Sequence, residues 1–369
     1  MKDKIRLILL NDWLYGGGAE RSMAVLANEL AKDTRYEIYL VLLENKISFE
    51  LNSGIKCISF RNSYKFGVFQ KLITILLDVF RLIGLIKNLN IDVVLSFQHR
   101  SNIINCLSKL LFKKFKSIIS ERIYTKDFFE QDFKKIFFNN AIKALYNKAD
   151  AITCNSADIK EGLAQFYNCD RDKITVIENA YDTKSITRLG KEEIETELLP
   201  FFEEKEVIVN VGRLDKQKGH EYLIKAFAML PNRSNYCLFI IGEGALREYL
   251  ERLISELGLN DSVFLLGYRK NPYKYLSRAN IFAFTSLYEG YPNALAEAMV
   301  FDNLKIISFD FKAGSKELIG NDEYGKIVRK CDIVGLSQAI LDAKNSKNVK
   351  HKTLNSIEDL VYDYKKIIE

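Results

Sequence analysis

The chain of 369 residues lacks any uninterrupted apolar run of the length, about 20 residues, that an α-helix needs to cross a bilayer. The best candidate, residues 72–89, is interrupted by Asp78, Arg81 and Lys87. The apolar run at residues 5–10 is short and leads into polar residues, so it does not resemble a signal peptide. We therefore expect a soluble, cytoplasmic protein.

Histidine is scarce, with three residues, and no Cys-x-x-Cys pair occurs. Because zinc sites usually combine such residues at short spacing, none is indicated. We expect reduced, mostly buried thiols at all six cysteines, which are Cys57, Cys106, Cys154, Cys169, Cys237 and Cys331. The only Asp-x-Asp motif, at residues 170–172, lies in a charged turn that is typical of solvated surface. The sequence therefore does not require a divalent cation.

The net charge of +6 is unevenly distributed. Residues 1–150 contain 24 Lys and Arg against 15 Asp and Glu, whereas the rest of the chain contains 30 against 33. Within residues 109–148 the lysines alternate with apolar side chains, and this pattern fits an anionic membrane surface, an anionic lipid-linked substrate or ordinary helices with a solvated face. Nucleic acid is disfavoured because no nucleic-acid motif accompanies the charge. The residues are Lys109, Lys113, Lys114, Lys116, Lys134 and Lys135, with Leu110, Leu111, Phe112, Phe115, Phe128, Phe129, Phe137 and Phe138.

Short apolar or β-branched runs alternate with longer segments of helical period, which predicts parallel sheets covered by helices. The chain exceeds what one hydrophobic core usually serves, so two domains are expected. We predict an N-terminal domain at 1–185, a linker at 186–205, a second domain at 206–350, and a final helix at 351–369 that crosses back to the first domain. The predicted strands are 5–10, 38–43, 93–97, 117–120, 151–154, 174–177, 207–211, 237–241, 263–266, 281–285 and 305–308.

Ligands of open parallel sheets bind at the carboxyl ends of the strands, and the most informative motif follows such an end. In Glu289-Gly-Tyr-Pro-Asn-Ala-Leu-Ala-Glu297 two carboxylates flank a turn and the start of a helix. Asn293 is a plausible helix cap. Backbone amides at Asn293, Ala294 and Leu295 can bind a phosphate while the carboxylates bind sugar hydroxyls, which indicates a nucleotide-sugar site. Two solvated charges on a surface helix are the alternative.

A second motif, residues 211–219, follows the first strand of the second domain and contains Gly212, Arg213 and Lys218. The guanidinium can form a bidentate contact with a diphosphate, and the ammonium can act as a point charge. Together they can neutralise a diphosphate without a metal.

Glycines mark three further strand-to-helix turns. Gly16-Gly17-Gly18 follows the first strand, and Gly242-Glu243-Gly244 follows a strand of the second domain. Such glycines let the backbone approach a ligand, although a plain flexible turn is the alternative. The third turn, at residues 313–317, can contribute hydrogen-bond donors. Tyr268 can line a base pocket.

These segments together resemble the large glycosyltransferase family 4, whose members are retaining enzymes of the GT-B fold. The resemblance spans nearly the whole chain, and several motifs in the right order are more specific than one. It implies an α/β fold with two Rossmann-like parallel-sheet domains that face a cleft. The segments 96–102 and 119–122 resemble those of bacterial members that extend lipid-linked oligosaccharides.

The resemblance also implies roles for individual residues. Arg213 and Lys218 would bind the donor diphosphate, Glu289 the transferred sugar, and Glu297 the ribose. Many members carry a histidine where Phe97 stands here, so His99, two residues later, is the candidate for contact with the donor sugar. The expected catalytic residues are Glu289, Arg213, Lys218 and His99, and the expected donor-binding residues are Gly17, Gly18, Gly212, Arg213, Lys218, Gly242, Glu243, Tyr268, Asn293, Ala294, Leu295 and Glu297.

We therefore predict a retaining glycosyltransferase that moves a sugar from an NDP-sugar, with a UDP-sugar expected, to a polyprenyl-diphosphate-linked saccharide. No cofactor and no metal are required in this prediction, and the protein would lie peripherally on the inner face of the cell membrane. An epimerase or phosphorylase of similar fold and a non-catalytic partner of another transferase are the alternatives.

Overall fold

A computed structural model of the chain describes residues 4–61, 68–123, 133–311, 314–320, 322–346 and 352–369. The chain forms two compact units. Unit 1 comprises Met1–Ala180 and Asn355–Glu369, and unit 2 comprises Tyr181–Leu354. The strands are β1 Ile5–Asn11, β2 Tyr36–Leu42, β3 Lys56–Ser59, β4 Val93–Phe97, β5 Lys116–Glu121, β6 Ala151–Cys154, β7 Ile174–Val176, β8 Glu206–Val211, β9 Tyr236–Ile241, β10 Val263–Gly267, β11 Ile281–Phe284, β12 Lys305–Phe309 and β13 Lys326–Val328.

Helices connect and cover these strands. They are α1 Gly18–Leu30, α2 Val68–Asn88, α3 His99–Leu111, α4 Phe133–Leu145, α5 Ala157–Tyr167, α6 Thr183–Gly190, α7 Leu199–Glu204, α8 His220–Ala228, α9 Arg247–Glu256, α10 Tyr273–Leu276, α11 Asn293–Ala298, α12 Ser315–Ile319, α13 Ile333–Asn345 and α14 Ile357–Ile368. Among the described residues, no helix combines the length and apolar character that crossing a membrane requires.

Unit 1 is built on a seven-stranded parallel sheet in the order β3-β2-β1-β4-β5-β6-β7. Strand β1 is apolar on both faces, with Leu7, Ile8, Leu9 and Leu10 fully buried. This is the pattern expected for a parallel strand that has helices on both sides.

The last helix, α14, packs on unit 1. Ser356 and Asp359 form a capping box at its start, where the Asp359 amide donates to Ser356 Oγ over 3.1 Å. Leu360 and Tyr364 are buried in the core of unit 1, and the Tyr364 ring lies 6.1 Å from that of Phe97. The apolar residues of this C-terminal helix thus pack in the core of the N-terminal unit, as their helical spacing and the predicted crossing back imply.

Unit 2 contains a six-stranded parallel sheet in the order β10-β9-β8-β11-β12-β13. The prediction of a linker at 186–205 was wrong, because this segment carries most of α6 and all of α7 within unit 2. Ile186 is buried in its core, and the Phe201 and Phe202 rings lie 5.8 Å and 5.3 Å from Phe239. Because the segment is rich in charge and contains a proline, these few apolar contacts could not be recognised in the sequence.

In each sheet, the order in which successive strands are added reverses at one point. In unit 1 the chain runs from β1 outward through β2 and β3, then returns to place β4 on the other side of β1; β8 and β11 have the same relation in unit 2. The loops after β1 and β4, and those after β8 and β11, therefore leave adjacent strands at the carboxyl edge of their sheets. Such switch points are where open α/β sheets bind ligands.

Candidate functional site

The loop after β8 is held against the end of β11. Asp215 caps the short helix Lys216–Lys218, since its Oδ1 accepts from the Lys218 amide over 3.3 Å. Gly219 follows in the left-handed conformation, with φ of 61°, and a Cβ there would lie 2.3 Å from the Thr285 carbonyl oxygen. A glycine is needed at 219 for both reasons, and Lys218 is thereby placed at the switch point.

Lys218 and Glu289 form an ion pair across the switch point. Lys218 Nζ lies 2.5 Å from Glu289 Oε1, and the two side chains are 16% and 9% exposed. Gln217, which the sequence analysis did not select, donates from Nε2 to Glu289 Oε2 over 3.2 Å. The Lys218 stem lies on Gly212, whose added Cβ would be 3.2 Å from two of its carbons. The structure thus brings together two residues predicted to bind the diphosphate and the sugar.

Arg213 stands on the same loop but is not enclosed as Lys218 is. Its side chain is 73% exposed, and Nη2 lies 3.4 Å from Asp215 Oδ2. The structure therefore places both predicted diphosphate ligands on one loop, with Lys218 enclosed and Arg213 in solvent.

Gly242 and Gly244 allow the loop after β9 to lie directly on the loop after β8. Gly242 has φ of 151°, and an added Cβ would lie 1.9 Å from the Gly212 carbonyl oxygen; at Gly244 it would lie 2.4 Å from that of Leu214. The Leu214 amide donates to the Glu243 carbonyl over 2.9 Å. The Glu243 carboxylate accepts from Arg247 over 2.8 Å. Only glycine fits at positions 242 and 244.

The helix that carries Glu297 begins differently from the prediction. Pro292 is the N-cap residue of α11 and Asn293 is its first residue, so the expectation that Asn293 caps the helix was wrong. Asn293 Oδ1 instead accepts from Tyr181 over 2.6 Å. The first intrahelical bond runs from the Ala296 amide to the Pro292 carbonyl, so the Ala294 and Leu295 amides precede the i−4 ladder. Glu297 is buried.

The outlying predicted residues are less enclosed. Tyr268 follows β10 and is 73% exposed. Ala313 lies outside the described residues, while Gly314 has φ of 121° and an added Cβ would lie 2.4 Å from Pro292 Cδ. Asp170 caps a surface turn by accepting from the Asp172 amide over 3.1 Å.

His220 is a buried neighbour of the site that the sequence analysis did not select. One ring nitrogen, Nε2, lies 3.0 Å from Asn210 Oδ1. Burial, and then the nearby charge of Lys218, lowers the pKa of His220 to about 3. His220 is therefore a neutral imidazole that contacts β8, next to the loop that carries Lys218.

At the switch point of unit 1, a carboxylate occupies the glycine turn. Gly17 is the N-cap residue of α1, and an added Cβ there would lie 2.0 Å from Glu20 Oε2; Gly18 is the first residue of the helix. Gln98 donates to Glu20 Oε1 over 2.6 Å. Burial raises the pKa of Glu20 despite its hydrogen bonds. The two glycines predicted to bind the donor thus lie beside a carboxylate that the sequence analysis missed.

His99 begins α3 and is almost fully buried rather than lying on the surface. Its Nδ1 lies 2.9 Å from Oε2 of Glu121, the last residue of β5. Asp12, which follows β1, is buried near this pair and accepts from Ser101 over 2.6 Å. The structure brings His99 to the same switch point as Glu20.

An exposed apolar stripe lies on α2. Ile73, Leu76, Leu77 and Phe80 share one helix face and are 50% to 64% exposed. The adjoining basic segment contributes exposed Leu110, Leu111, Lys113 and Lys114, and Lys109 Nζ pairs with Asp150 Oδ2 over 2.7 Å. Phe128 and Phe129 lie outside the described residues, whereas Lys134, Lys135, Phe137 and Phe138 are on α4.

Two family models match the chain: "Glycosyltransferase Family 4" over residues 16–185 and "Glycosyl transferases group 1" over residues 191–358. N-acetylgalactosamine-N,N'-diacetylbacillosaminyl-diphospho-undecaprenol 4-alpha-N-acetylgalactosaminyltransferase of Campylobacter jejuni is 33% identical over 92% of this chain and 91% of its own length. A second C. jejuni relative, GalNAc-alpha-(1->4)-GalNAc-alpha-(1->3)-diNAcBac-PP-undecaprenol alpha-1,4-N-acetyl-D-galactosaminyltransferase, is 26% identical over 95% of this chain and 92% of its own length. Anabaena HepE in complex with UDP has the same fold, with a TM-score of 0.78 and 15% identity over 98% of this chain and 99% of HepE.

Proposed function

The chain belongs to glycosyltransferase family 4, and from this premise we propose that it transfers a sugar from a UDP-sugar to a lipid-linked saccharide with retention of anomeric configuration. The contact of Lys218 with Glu289 is the observation that carries the proposal. It joins a cation suited to a diphosphate and a carboxylate suited to sugar hydroxyls at the switch point of one sheet.

In this proposal, unit 2 binds the donor. Lys218 and Arg213 neutralise the diphosphate, and the Ala294 and Leu295 amides donate to it. Because charge develops on the leaving diphosphate in the transition state, these donors lower the barrier most where they bind it. Glu289 accepts from hydroxyls of the transferred sugar. The complex of HepE with UDP supports a uridine nucleotide.

The nucleotide lies against the backbone at Gly212, Gly242 and Glu243. Glu297 binds the ribose, and Tyr268 lines the base pocket. The two cations replace a metal ion in this scheme. Transfer is therefore expected to proceed at the same rate in EDTA.

The acceptor is proposed from the relatives. The names of both C. jejuni proteins specify an undecaprenol-linked saccharide and an α-linked product. An α product from an α-linked nucleotide sugar requires retention. The basic half of the chain would bind this anionic acceptor.

Access to a lipid-linked acceptor is served by a peripheral position on the inner face of the cell membrane. The apolar stripe of α2 provides an insertable face, and exposed Arg81, Lys87, Lys113 and Lys114 provide complementary charge to anionic lipids. Lys87 Nζ lies 5.0 Å from the centre of the Phe112 ring, so the ends of α2 and α3 are adjacent.

The proposal is tested with purified protein, a panel of UDP-sugars and a synthetic polyprenyl-diphosphate-linked saccharide, with and without EDTA. We expect one UDP-sugar to extend the acceptor, with an α-anomeric NMR signal in the product. Conversion of the donor alone would indicate an epimerase, and phosphate-dependent release of a sugar phosphate would indicate a phosphorylase. Binding of donor without any turnover would favour a non-catalytic partner.

A further inference from the structure

The buried pair of His99 and Glu121 has a structure that the binding roles above do not require. Strands β4 and β5 are neighbours in the sheet, with Phe97 opposite Ser120. Their carboxyl ends therefore place the first residue of α3 beside the last residue of β5. His99 Nδ1 and Glu121 Oε2 are 2.9 Å apart, and both side chains are buried.

Glu121 is fixed by more than the imidazole. Its Oε1 accepts from the amides of Arg122 and Ile123 over 2.9 Å and 3.2 Å, and its Oε2 accepts from the Tyr146 hydroxyl over 2.9 Å. A carboxylate that receives this many donors acts purely as an acceptor. Its orientation, and with it that of the His99 ring, is set by the end of β5.

The start of α3 would otherwise disfavour a charged histidine. A helix N-terminus carries a partial positive charge, so a cation at its first residue is destabilised unless an anion lies close. Gln98, which precedes the helix, has φ of 71° and ψ of 152°, a conformation that costs a non-glycine residue about 1–3 kcal/mol. Strained backbone and a buried counter-ion at one histidine are typical of a group whose orientation matters.

We propose that Glu121 is a positioning residue that fixes the His99 ring and keeps it protonated, so that unit 1 presents a hydrogen-bond-donating cation to an oxygen of the substrate. The inference rests on the proposed transferase function for its consequence but not for the pair itself. Burial lowers the pKa of His99, but Glu121 and then Asp12 outweigh it and raise the pKa above its ordinary value.

The surrounding charges act in known directions. Asp12 is the second carboxyl group near His99; burial raises its pKa above the ordinary value, and the Ser101 hydrogen bond and the charge of Arg100 oppose this rise. Tyr146 donates to the carboxylate, and its own pKa lies well above the usual value, because of burial first. The charge of His99 is therefore present at low pH and is lost as pH rises through its raised pKa.

Histidine NMR tests the pair without any activity assay, because the chain contains only three histidines. His220, with a pKa of about 3, should not titrate between pH 5 and 9. His99→Gln and His351→Gln assign the other two signals. In Glu121→Gln the titration midpoint of His99 should fall by about one pH unit or more, whereas Glu44→Gln, which removes another buried carboxylate of unit 1, should leave it within a few tenths.

Transfer assays then separate positioning from bulk structure. In Glu121→Gln the alkaline limb of the kcat profile should move to lower pH by the same amount as the NMR midpoint, and Glu121→Asp should restore part of it. Should Glu121→Gln fail to fold, Glu121→Asp, which keeps the carboxylate but withdraws it from the imidazole, should shift the His99 midpoint less and in the same direction. If the titration midpoint of His99 is unchanged in Glu121→Gln, Glu121 does not control the charge of His99 and the proposal is refuted. If the midpoint moves but the alkaline limb of the kcat profile does not, the charge of His99 has no role in transfer.

Discussion

Replacement of Lys218 by methionine should destabilise unit 2 and slow transfer strongly, and the double variant Lys218→Met/Glu289→Gln should regain stability without regaining activity. Lys218 Nζ and Glu289 Oε1 are 2.5 Å apart. At an effective dielectric constant of about 20, two charges at this distance attract by about 7 kcal/mol before the desolvation of both is subtracted. Methionine keeps an unbranched stem against Gly212, so the substitution removes mainly the charge.

The single variant leaves the Glu289 carboxylate buried with its other donor, Gln217. Loss of one partner of a buried pair costs about 3–5 kcal/mol, and the remaining donor favours the lower end of that range. For a unit of this size, about 3 kcal/mol corresponds to a decrease in Tm of about 6–12 °C. The double variant removes both charges, so its unfolding free energy should return to within about 1 kcal/mol of the wild type.

Activity should not follow stability. Loss of a preorganised donor to developing charge typically costs about 10²–10³ in kcat, so both variants should transfer sugar at least about 100-fold more slowly. The assays are calorimetry and initial-rate transfer of labelled sugar. Lys225→Met is the matched control, because Lys225 lies on α8 with its ammonium 3.7 Å from Glu221 on the surface.

Two results would refute this reasoning. If the destabilisations of Lys218→Met and of the single variant Glu289→Gln simply add in the double variant, the charges are not coupled. If Lys218→Met turns over at the wild-type rate, Lys218 does not serve the leaving group, whatever the stability cycle shows.

Three further predictions concern the backbone, the C-terminal helix and the membrane. Gly242→Ala should remove the thermal stabilisation by UDP, because a Cβ would lie 1.9 Å from a carbonyl oxygen, whereas Gly258→Ala, with φ of 64° and no atom within 4 Å, should keep it and cost about 1–2 kcal/mol. Tyr364→Phe should lower the unfolding free energy of unit 1 by about 1–3 kcal/mol, since its hydroxyl accepts from a buried guanidinium over 2.7 Å; Tyr362→Phe, on the exposed face of the same helix, should have almost no effect. Phe80→Ser should weaken co-sedimentation with anionic vesicles several-fold, and Tyr362→Ser, an equally exposed change, should not; equal binding of both variants would remove α2 from the membrane contact.

The central strands could be predicted because their residues are buried on both faces. Val93–Phe97 and Ala151–Cys154 have the predicted bounds. The strands Lys56–Ser59 and Lys326–Val328 were missed, because they are short and most of their residues are at least partly exposed. Periodicity in the sequence carries little information about such strands.

The candidate site was predicted in part for a comparable reason. Each motif follows a strand, and parallel strands end at the same edge, so the sequence alone places Lys218 and Glu289 at one edge of a sheet. The roles of Gln217, Glu20 and Glu121 were not visible, because a glutamine or glutamate in a loop has no distinctive pattern until its partner is known. The left-handed backbone of Gln98 is equally invisible, since glutamine rarely adopts it.

The sequence by itself determined the alternation of strands and helices, the division of charge and the order of the motifs, all of which depend on residues close together along the chain. Tertiary structure alone decided which motifs touch. Lys218 meets Glu289 because β8 pairs with β11 across the crossover, and His99 meets Glu121 because β4 pairs with β5. Each pair joins residues that are distant in sequence, and only the strand order of the folded sheet brings them within hydrogen-bonding distance.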